Sequence, residues 1–551
     1  MGFIIKRTNG ATRTVEPRPG RTLAQEIFAH GFLPPRPLCS GLGRCGLCRV
    51  RFEDASLAPA AEPSEQELLA PEEIADGWRL ACRRQAQAVP DGAVIFAPDI
   101  EQDGRRMHAD ATPDAKPSAT RGAAGEGPVG LCLAVDLGTT SLHWAAMQNE
   151  ICVAHGVELN PQLGAGSEVM SRIGYALDPD GARELQALVV DRLEALADSL
   201  PAMLDADVRV EQVCLVGNTA MTAIAQGRSV DGLARAPYRL EYPGDAESPL
   251  SERLPRCYVP AQIGPFVGAD AAAGLVPLLR QDIPRPFLLA DLGTNGEFIL
   301  VMEQGGEVRL HAASVALGPA LEGIGLGHGA MAGPGVATRF ELAPAGLVAK
   351  EAGGAMLRTA AGISGTGYLS LVHTLIRAGA LDRDGHFLDP DEVSSPLARR
   401  LLASVEEHAA HRALRLPLVQ ENGQPLHLDP RDVEELLKVK AAFHVAFDVL
   451  LAAAGITAGD LDSVQLAGAL GEHVSPADLE GLGFVPRGIA PRLRAAGNLA
   501  LEGAKLLCYE TSLRTRLAQL ARRAQVLDLA SDGGFHAAFA AAMTFDHATH
   551  S

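Results

Sequence analysis

Four cysteines in the first hundred residues are spaced for thiolate–metal chemistry. Cys39, Cys45 and Cys48 fall within ten positions in "PLCSGLGRCGLCRVRF" (37–52), and Cys82 follows in "RLACRRQ". Four thiolates hold either a 2Fe–2S cluster or a structural zinc ion. Glycines 41, 43 and 46 let the backbone bend round such a centre and aim N–H groups at sulfur. Zinc sites come more often as two close cysteine pairs, and Cys82 has no close partner, which favours the cluster. Zinc stays open on these residues alone. Arg36, Arg44, Arg49, Arg51, Arg79, Arg83 and Arg84 flank the ligands. They read either as a solvated surface or as a patch that steers an acidic redox partner.

A second chemistry begins after residue 129. "LAVDLGTTSLHWAAM" (133–147) and "LLADLGTNGEFILVM" (288–302) align without a gap through Asp-Leu-Gly-Thr. Each is an apolar strand, an acid, a glycine turn and a second strand. The turn's N–H groups and threonine hydroxyl can donate to phosphate oxygens, and glycine allows close approach. Asp136 and Asp291, at the strand ends, can hold Mg²⁺ through its waters, because that ion keeps much of its hydration shell. Two facing turns would clamp one polyphosphate from both sides, with Mg²⁺ as its counter-ion. Glycine-rich stretches at 316–335, 361–369 and 466–473 offer further backbone to a nucleotide.

These groups need elements to position them. Residues 1–100 read as one small domain: a hairpin around Asn9-Gly10, a short helix from Thr22 to Gly31, the cysteine loop, then strands at "CRVRF" and "AVIFAP". That order resembles the β-grasp of ferredoxins, and the five-residue gap between Cys39 and Cys45 resembles the adrenodoxin type. Residues 101–128 carry almost no large apolar side chains and are expected to form a flexible linker. From 129 to 551, glycine-punctuated strands alternate with helical stretches such as "ARELQALVVDRLEALADSL", the pattern of an α/β domain. The internal repeat predicts two similar halves that face each other.

Composition excludes some partners. The net charge of −19 argues against nucleic acid, and no apolar run is long enough to cross a bilayer. "MGFIIKRTNG" lacks a signal peptide's apolar core, so the expected compartment is cytoplasmic. The remaining cysteines (Cys132, Cys152, Cys214, Cys257, Cys508) read as small buried hydrophobes.

The paired turns, followed by "LAGALGEH" (466–473), resemble the acetate and sugar kinase, heat-shock chaperone and actin superfamily of ATPases. The expected architecture is therefore α/β and multidomain: a β-grasp ferredoxin domain, a linker and a two-lobed actin-like, ribonuclease H-like ATPase domain. The resemblance implies phosphate and Mg²⁺ contacts from Asp136, Gly138, Thr139 and Thr140 and from Asp291, Gly293, Thr294, Asn295 and Gly296. It adds Gly318, Gly323 and Lys440 to the nucleotide site and places Gly468 and Gly471 against the adenosine. "NPQLGAGSEVMSRI" (160–173), "VGNTAMT" (216–222), "VGADAAAG" (267–274), "ALGPALEGIG" (316–325), "GISGTGYL" (362–369) and "KVKAAF" (438–443) narrow this to one branch. With the cysteine domain in front, the chain resembles the reductive activators of corrinoid proteins. Ala469 and Leu437 depart from that branch, where glycine and glutamine are common.

The resemblance implies an enzyme that passes one electron from a 2Fe–2S cluster to inactive Co(II), restoring Co(I) in a corrinoid-dependent methyltransferase system. Plant-type clusters sit near −400 mV. Lifting an electron over a further gap of about 150–200 mV costs about 4 kcal/mol, which ATP would offset. The expected partners are a corrinoid protein and an external low-potential donor, and a homodimer is allowed. Asp270 is a candidate for orienting the attacking water, with a structural hydrogen-bonding role as the alternative. Two other functions compete: a small-molecule kinase fused to a ferredoxin sensor, and an electron-transfer module on a degenerate ATPase scaffold.

Overall fold

The computed structural model describes residues 2–32, 41, 43, 46–97, 128–344, 346–408, 411–468, 474–529 and 533–546. Apart from Pro128, the linker expected at 101–128 lies outside the described residues, as do Cys39, Cys45, Arg36, Arg44 and Gly471.

The N-terminal domain is a five-stranded sheet in the spatial order Thr12–Val15, Phe3–Arg7, Val94–Ala97, Arg49–Phe52, Trp78–Leu80. The first two strands pair antiparallel around Gly10, whose φ of 84° glycine tolerates and other residues avoid. Helix Leu23–Ala29 begins at a Thr22–Gln25 capping box and lays Leu23, Ile27 and Phe28 inward. Val94–Ala97 runs parallel to Phe3–Arg7 and closes the grasp around Phe3, Ile5, Phe52 and Ile95.

Two six-stranded sheets repeat one plan. In the first, Val129–Leu137 pairs antiparallel with Ser141–Gln148, then Ile151–Leu159, and parallel with Val208–Gly217. In the second, Phe287–Leu292 pairs antiparallel with Asn295–Gln304, then Glu307–Ala316, and parallel with Ser463–Ala467. The strands preceding the two turns are central and apolar on both faces, so their carboxyl ends carry Asp136 and Asp291 into the space between the sheets. Helix Pro179–Leu204 covers the first sheet with Leu185, Val189, Leu193, Leu196 and Leu200, a helical stripe. Cys214, Cys257 and Cys508 are buried in that lobe's core as small side chains.

The cysteine domain packs on the first lobe through helix Leu23–Ala29. Phe28 joins the first lobe's core and lies where a Cβ on Gly164 would have to go. The buried Arg21 guanidinium stacks 4.2 Å from the centre of the Tyr175 ring and donates to Tyr175 (2.6 Å), Asp178 (3.1 Å) and Glu184 (3.2 Å). Gln25 donates to the Ala165 carbonyl at 3.3 Å. An exposed pair, Arg431–Glu67 at 2.9 Å, reaches the second lobe.

Candidate active site

The two turns open on one cavity of about 530 Å³ between the lobes. Its lining gathers Asp136, Gly138, Thr139, Thr140, Asp270, Asp291, Gly293, Thr294, Asn295, Gly323 and Gly468. Among the described residues, three predicted for the nucleotide site stay outside that lining. Gly296 packs beneath the turn, where a Cβ would strike Leu317. Gly318 stands behind it and donates its N–H to the Thr294 carbonyl (2.9 Å). Lys440 is carried elsewhere altogether. Helix Pro430–Ala454 points its ammonium at the carbonyls of Ala542 (3.2 Å) and Asp546 (3.1 Å), and burial lowers its pKa to about 8.

The first turn is held by side chains. Asn160 donates to the Gly138 carbonyl (2.7 Å), and the fully buried Arg172 donates to the Thr139 carbonyl. Arg172 also binds the Gly166 carbonyl (2.8 Å) and Gln162 (3.3 Å). Asn218, which caps helix Thr219–Ala225, donates to the Thr139 hydroxyl at 3.0 Å. The "NPQLGAGSEVMSRI" and "VGNTAMT" motifs therefore converge behind one turn.

Four carboxylates share the cleft floor. Asp136 accepts from Asn498 (2.8 Å), the N-cap of helix Leu499–Tyr509, and burial raises it to about 6. Asp291 is raised further, to about 8, by burial and then by the charges of Asp270 and Asp136. Burial first, then Asp136, also raises Asp270 at the start of helix Ala269–Arg280. Glu297, directly opposite Asp291 across the second hairpin, is pushed up by burial and by Asp270 and Asp291. Such crowding calls for a cation, and an all-oxygen anionic set suits Mg²⁺ held partly through water. Glu322 spans the two turns, accepting from the hydroxyls of Thr140 and Thr294.

Of the four predicted cluster ligands, Cys48 and Cys82 are described. Cys48 is buried and its sulfur accepts the Cys82 N–H at 3.5 Å. Gly41, Gly43 and Gly46 all adopt left-handed φ (85°, 69° and 64°) around them. An amide-to-sulfur bond and a loop of left-handed glycines fit an iron–sulfur site, where N–H groups stabilise thiolate charge. Leu47, the neighbour of Cys48, lines the wall of the inter-lobe cavity. The described arginines serve the domain itself. Arg49 holds Gly46, Leu68 and Glu73; Arg79 holds three carbonyls; Arg51, Arg83 and Arg84 pair with Asp76, Glu62 and Glu65.

Sequence reasoning singled out neither Glu322, Glu297 nor Asn498 as site residues. Glu297 lies in the quoted "LLADLGTNGEFILVM" and Glu322 in "ALGPALEGIG", so both are adjacent to a recognised signal. Asn498 could have been found as the cap preceding "LALEGAKLL".

Three family models match the chain. Residues 285–551 match the model of the C-terminal domain of RACo, the ASKHA domain; 131–279 match the RACo middle region; 6–87 match the 2Fe-2S iron-sulfur cluster binding domain. The corrinoid activation enzyme RamQ of Eubacterium limosum is 28% identical over 390 residues, 68% of this chain and 63% of the relative. A Co(II) methylated amine-specific corrinoid protein reductase of Methanosarcina barkeri is 25% identical over 395 residues, 65% of this chain and 66% of its own. The matched region thus spans just under two thirds of each of these relatives. A solved reductive activator for corrinoid, iron-sulfur protein shares the fold across 99% of this chain and 98% of its own, with a TM-score of 0.67 and 20% identity. Among the described residues, no helix is long and apolar enough to cross a membrane.

Proposed function

The chain belongs to the RACo family, its middle-region and ASKHA domains fronted by a 2Fe-2S domain, and on that premise we propose that it is an ATP-dependent reductive activator of corrinoid proteins. One observation carries the reading: both phosphate-type turns open on a cavity whose wall includes Leu47, the residue next to Cys48. Nucleotide chemistry and electron delivery therefore share a boundary.

In this proposal residues 1–100 form the electron-carrying unit, 101–128 the connection and 129–551 the ATPase. A cluster bound by Cys39, Cys45, Cys48 and Cys82 supplies one-electron transfer. The chain's own residues do the rest. The hydroxyls and N–H groups of Thr139, Thr140 and Thr294 receive phosphate oxygens. Asp136, Asp291, Asp270 and Glu297 present the negative charge that Mg²⁺ neutralises, and Gly468 bounds the cleft on the adenosine side. Asp270, at a helix start facing the cavity, is our candidate for orienting the attacking water. Differential affinity of the open and closed cleft for ATP is the source of work for the uphill electron. The partner is a corrinoid protein, the donor an external low-potential carrier, and the setting the reducing cytoplasm, where thiolates persist.

The test is direct. The iron-loaded protein, a reductant and a Co(II) corrinoid protein are mixed, and the Co(I) absorption band is followed with and without Mg-ATP. Faster or more complete Co(I) formation with Mg-ATP is expected; equal reduction in both arms would sink the coupling. A kinase would instead convert ATP stoichiometrically into a phosphorylated small molecule without any corrinoid partner.

A further inference from the structure

Glu322 holds a position that the rest of the cleft reserves for phosphate. It ends the short 3-10 turn Pro319–Glu322, which follows the last long strand of the second sheet. Its carboxylate accepts the Thr140 hydroxyl from the first turn and the Thr294 hydroxyl (3.0 Å) from the second. Burial raises the Glu322 carboxyl above its ordinary value, and the two hydroxyls, the Thr294 N–H, which also donates to it, and the Arg172 guanidinium behind the first turn offset part of that rise. A Cβ built on Gly293 would lie 3.5 Å from a Glu322 oxygen, so the carboxylate sits over the glycine that permits close approach. Two hydroxyls, a backbone N–H and a nearby guanidinium converging on an oxyanion form a phosphate-binding constellation.

We propose that Glu322 is a built-in stand-in for a nucleotide phosphate: it occupies the donors of both turns in the nucleotide-free protein and is displaced when Mg-ATP binds. The inference rests on reading the cleft as an ATP site. The donors cannot serve both anions fully, and like charges repel at hydrogen-bond distance. Ligand entry therefore expels the side chain and moves the segment that carries it. Gly318 (φ 76°) and Gly323 (φ 75°) flank that segment in conformations that other residues rarely adopt. It is also packed against something that would register the movement. The Leu321 carbonyl lies where a Cβ on Gly365 would fall, at the start of helix Gly365–Ala378 in the second lobe. Glu322 thus acts as a positioning residue that reports occupancy of the cleft to that lobe.

Two measurements on the full-length protein test this. Calorimetric titration with Mg-ATP compares the wild type with Glu322→Ala and Glu322→Gln. Both variants are expected to bind more tightly, about ten-fold for alanine, because the competing carboxylate charge is gone. Amide hydrogen exchange then separates displacement from a general charge effect. In the wild type, exchange across 318–324 should rise on adding Mg-ATP, whereas in Glu322→Ala it should be high already and change little. Unchanged or weaker Mg-ATP binding in both variants would overturn the proposal, as would a wild-type segment that becomes more protected on binding. Failure of all three proteins to bind Mg-ATP would remove the ATP-site reading as well. Binding by the wild type with no gain in the variants would remove the stand-in alone.

Discussion

The two Asp-Gly-Thr hairpins are the same motif put to different uses, and the difference lies in what stands behind each. Behind the first turn, the carbonyls of Gly138 and Thr139 are tied to side chains, Asn160 and Arg172, brought in from another segment. Behind the second, the Thr294 carbonyl takes the Gly318 N–H, and Gly293 bonds within the turn to the Asn295 carbonyl (3.0 Å). Register separates them too. Asp136 faces His143 across its hairpin, but Asp291 faces Glu297 because the second turn is one residue tighter. The first acid is steadied by Asn498, while the second stands among the like charges of Asp270 and Asp136. One turn is built as a rigid wall. The other is charged for a cation, and its backing belongs to the segment that carries Glu322.

The most disruptive way to break this comparison is at Arg172, which has no counterpart behind the second turn among the described residues. Arg172→Ala strips the Thr139 and Gly166 carbonyls of a buried donor and leaves a cavity. A loss of about 3–4 kcal/mol is expected, read as a lowered denaturation midpoint at unchanged slope. Stability close to that of the wild type would mean that the first turn is not held from behind.

Removing one charge from each hairpin should sharpen the contrast. Asp291→Asn takes away the acid that most needs the cation, so Mg-ATP turnover should fall about 100-fold, or roughly 2.7 kcal/mol of barrier. The nucleotide-free protein should at the same time become more stable, since burial and repulsion penalise that carboxylate. Asp136→Asn should also slow turnover but gain less stability, because Asn498 already offsets part of the Asp136 charge. Equal stability gains from the two substitutions would contradict the asymmetry.

How much of this could be read from the sequence depends on the range of the interaction. The repeated Asp-Leu-Gly-Thr announced two similar sheets, because strand alternation and a glycine turn are local. "NPQLGAGSEVMSRI" was visible as a motif, but its work was not, since Arg172 reaches a carbonyl 33 residues away in sequence. The Thr22 cap was legible for the same local reason, whereas Arg21, one residue earlier, gave no sign of its stacking on Tyr175. Lys440 looked like a nucleotide contact because it sits in a branch motif. Which face of a long helix meets the cleft is set by packing, and that face meets the C-terminal segment instead. The arginines around the cysteines read either as a solvated surface or as a steering patch, and the described ones are held by the domain's own carbonyls and acids, contacts that local spacing does not announce.

The gentlest probe leaves the chain intact and varies pH. Both acids are raised above the ordinary carboxylate value near 4, Asp136 to about 6 and Asp291 to about 8, so the folded state binds their protons more tightly than the unfolded state. Stability of the magnesium-free protein must therefore fall as pH climbs from about 4. The share due to Asp136 is exhausted near pH 6, and the share due to Asp291 continues to accrue until about pH 8. Mg²⁺ binds the ionised forms and returns part of that loss, so the rise in melting temperature on adding Mg²⁺ should itself grow with pH. Between pH 6 and pH 8.5 the increase in that rise should be about 3 °C, on the order of 1 kcal/mol. Asp136 is half ionised at the start of that interval and Asp270, raised to about 7, ionises within it, so Asp291→Asn should reduce the response most and Asp136→Asn should leave most of it. A response abolished equally by both would show that the two hairpins share one charge rather than divide it.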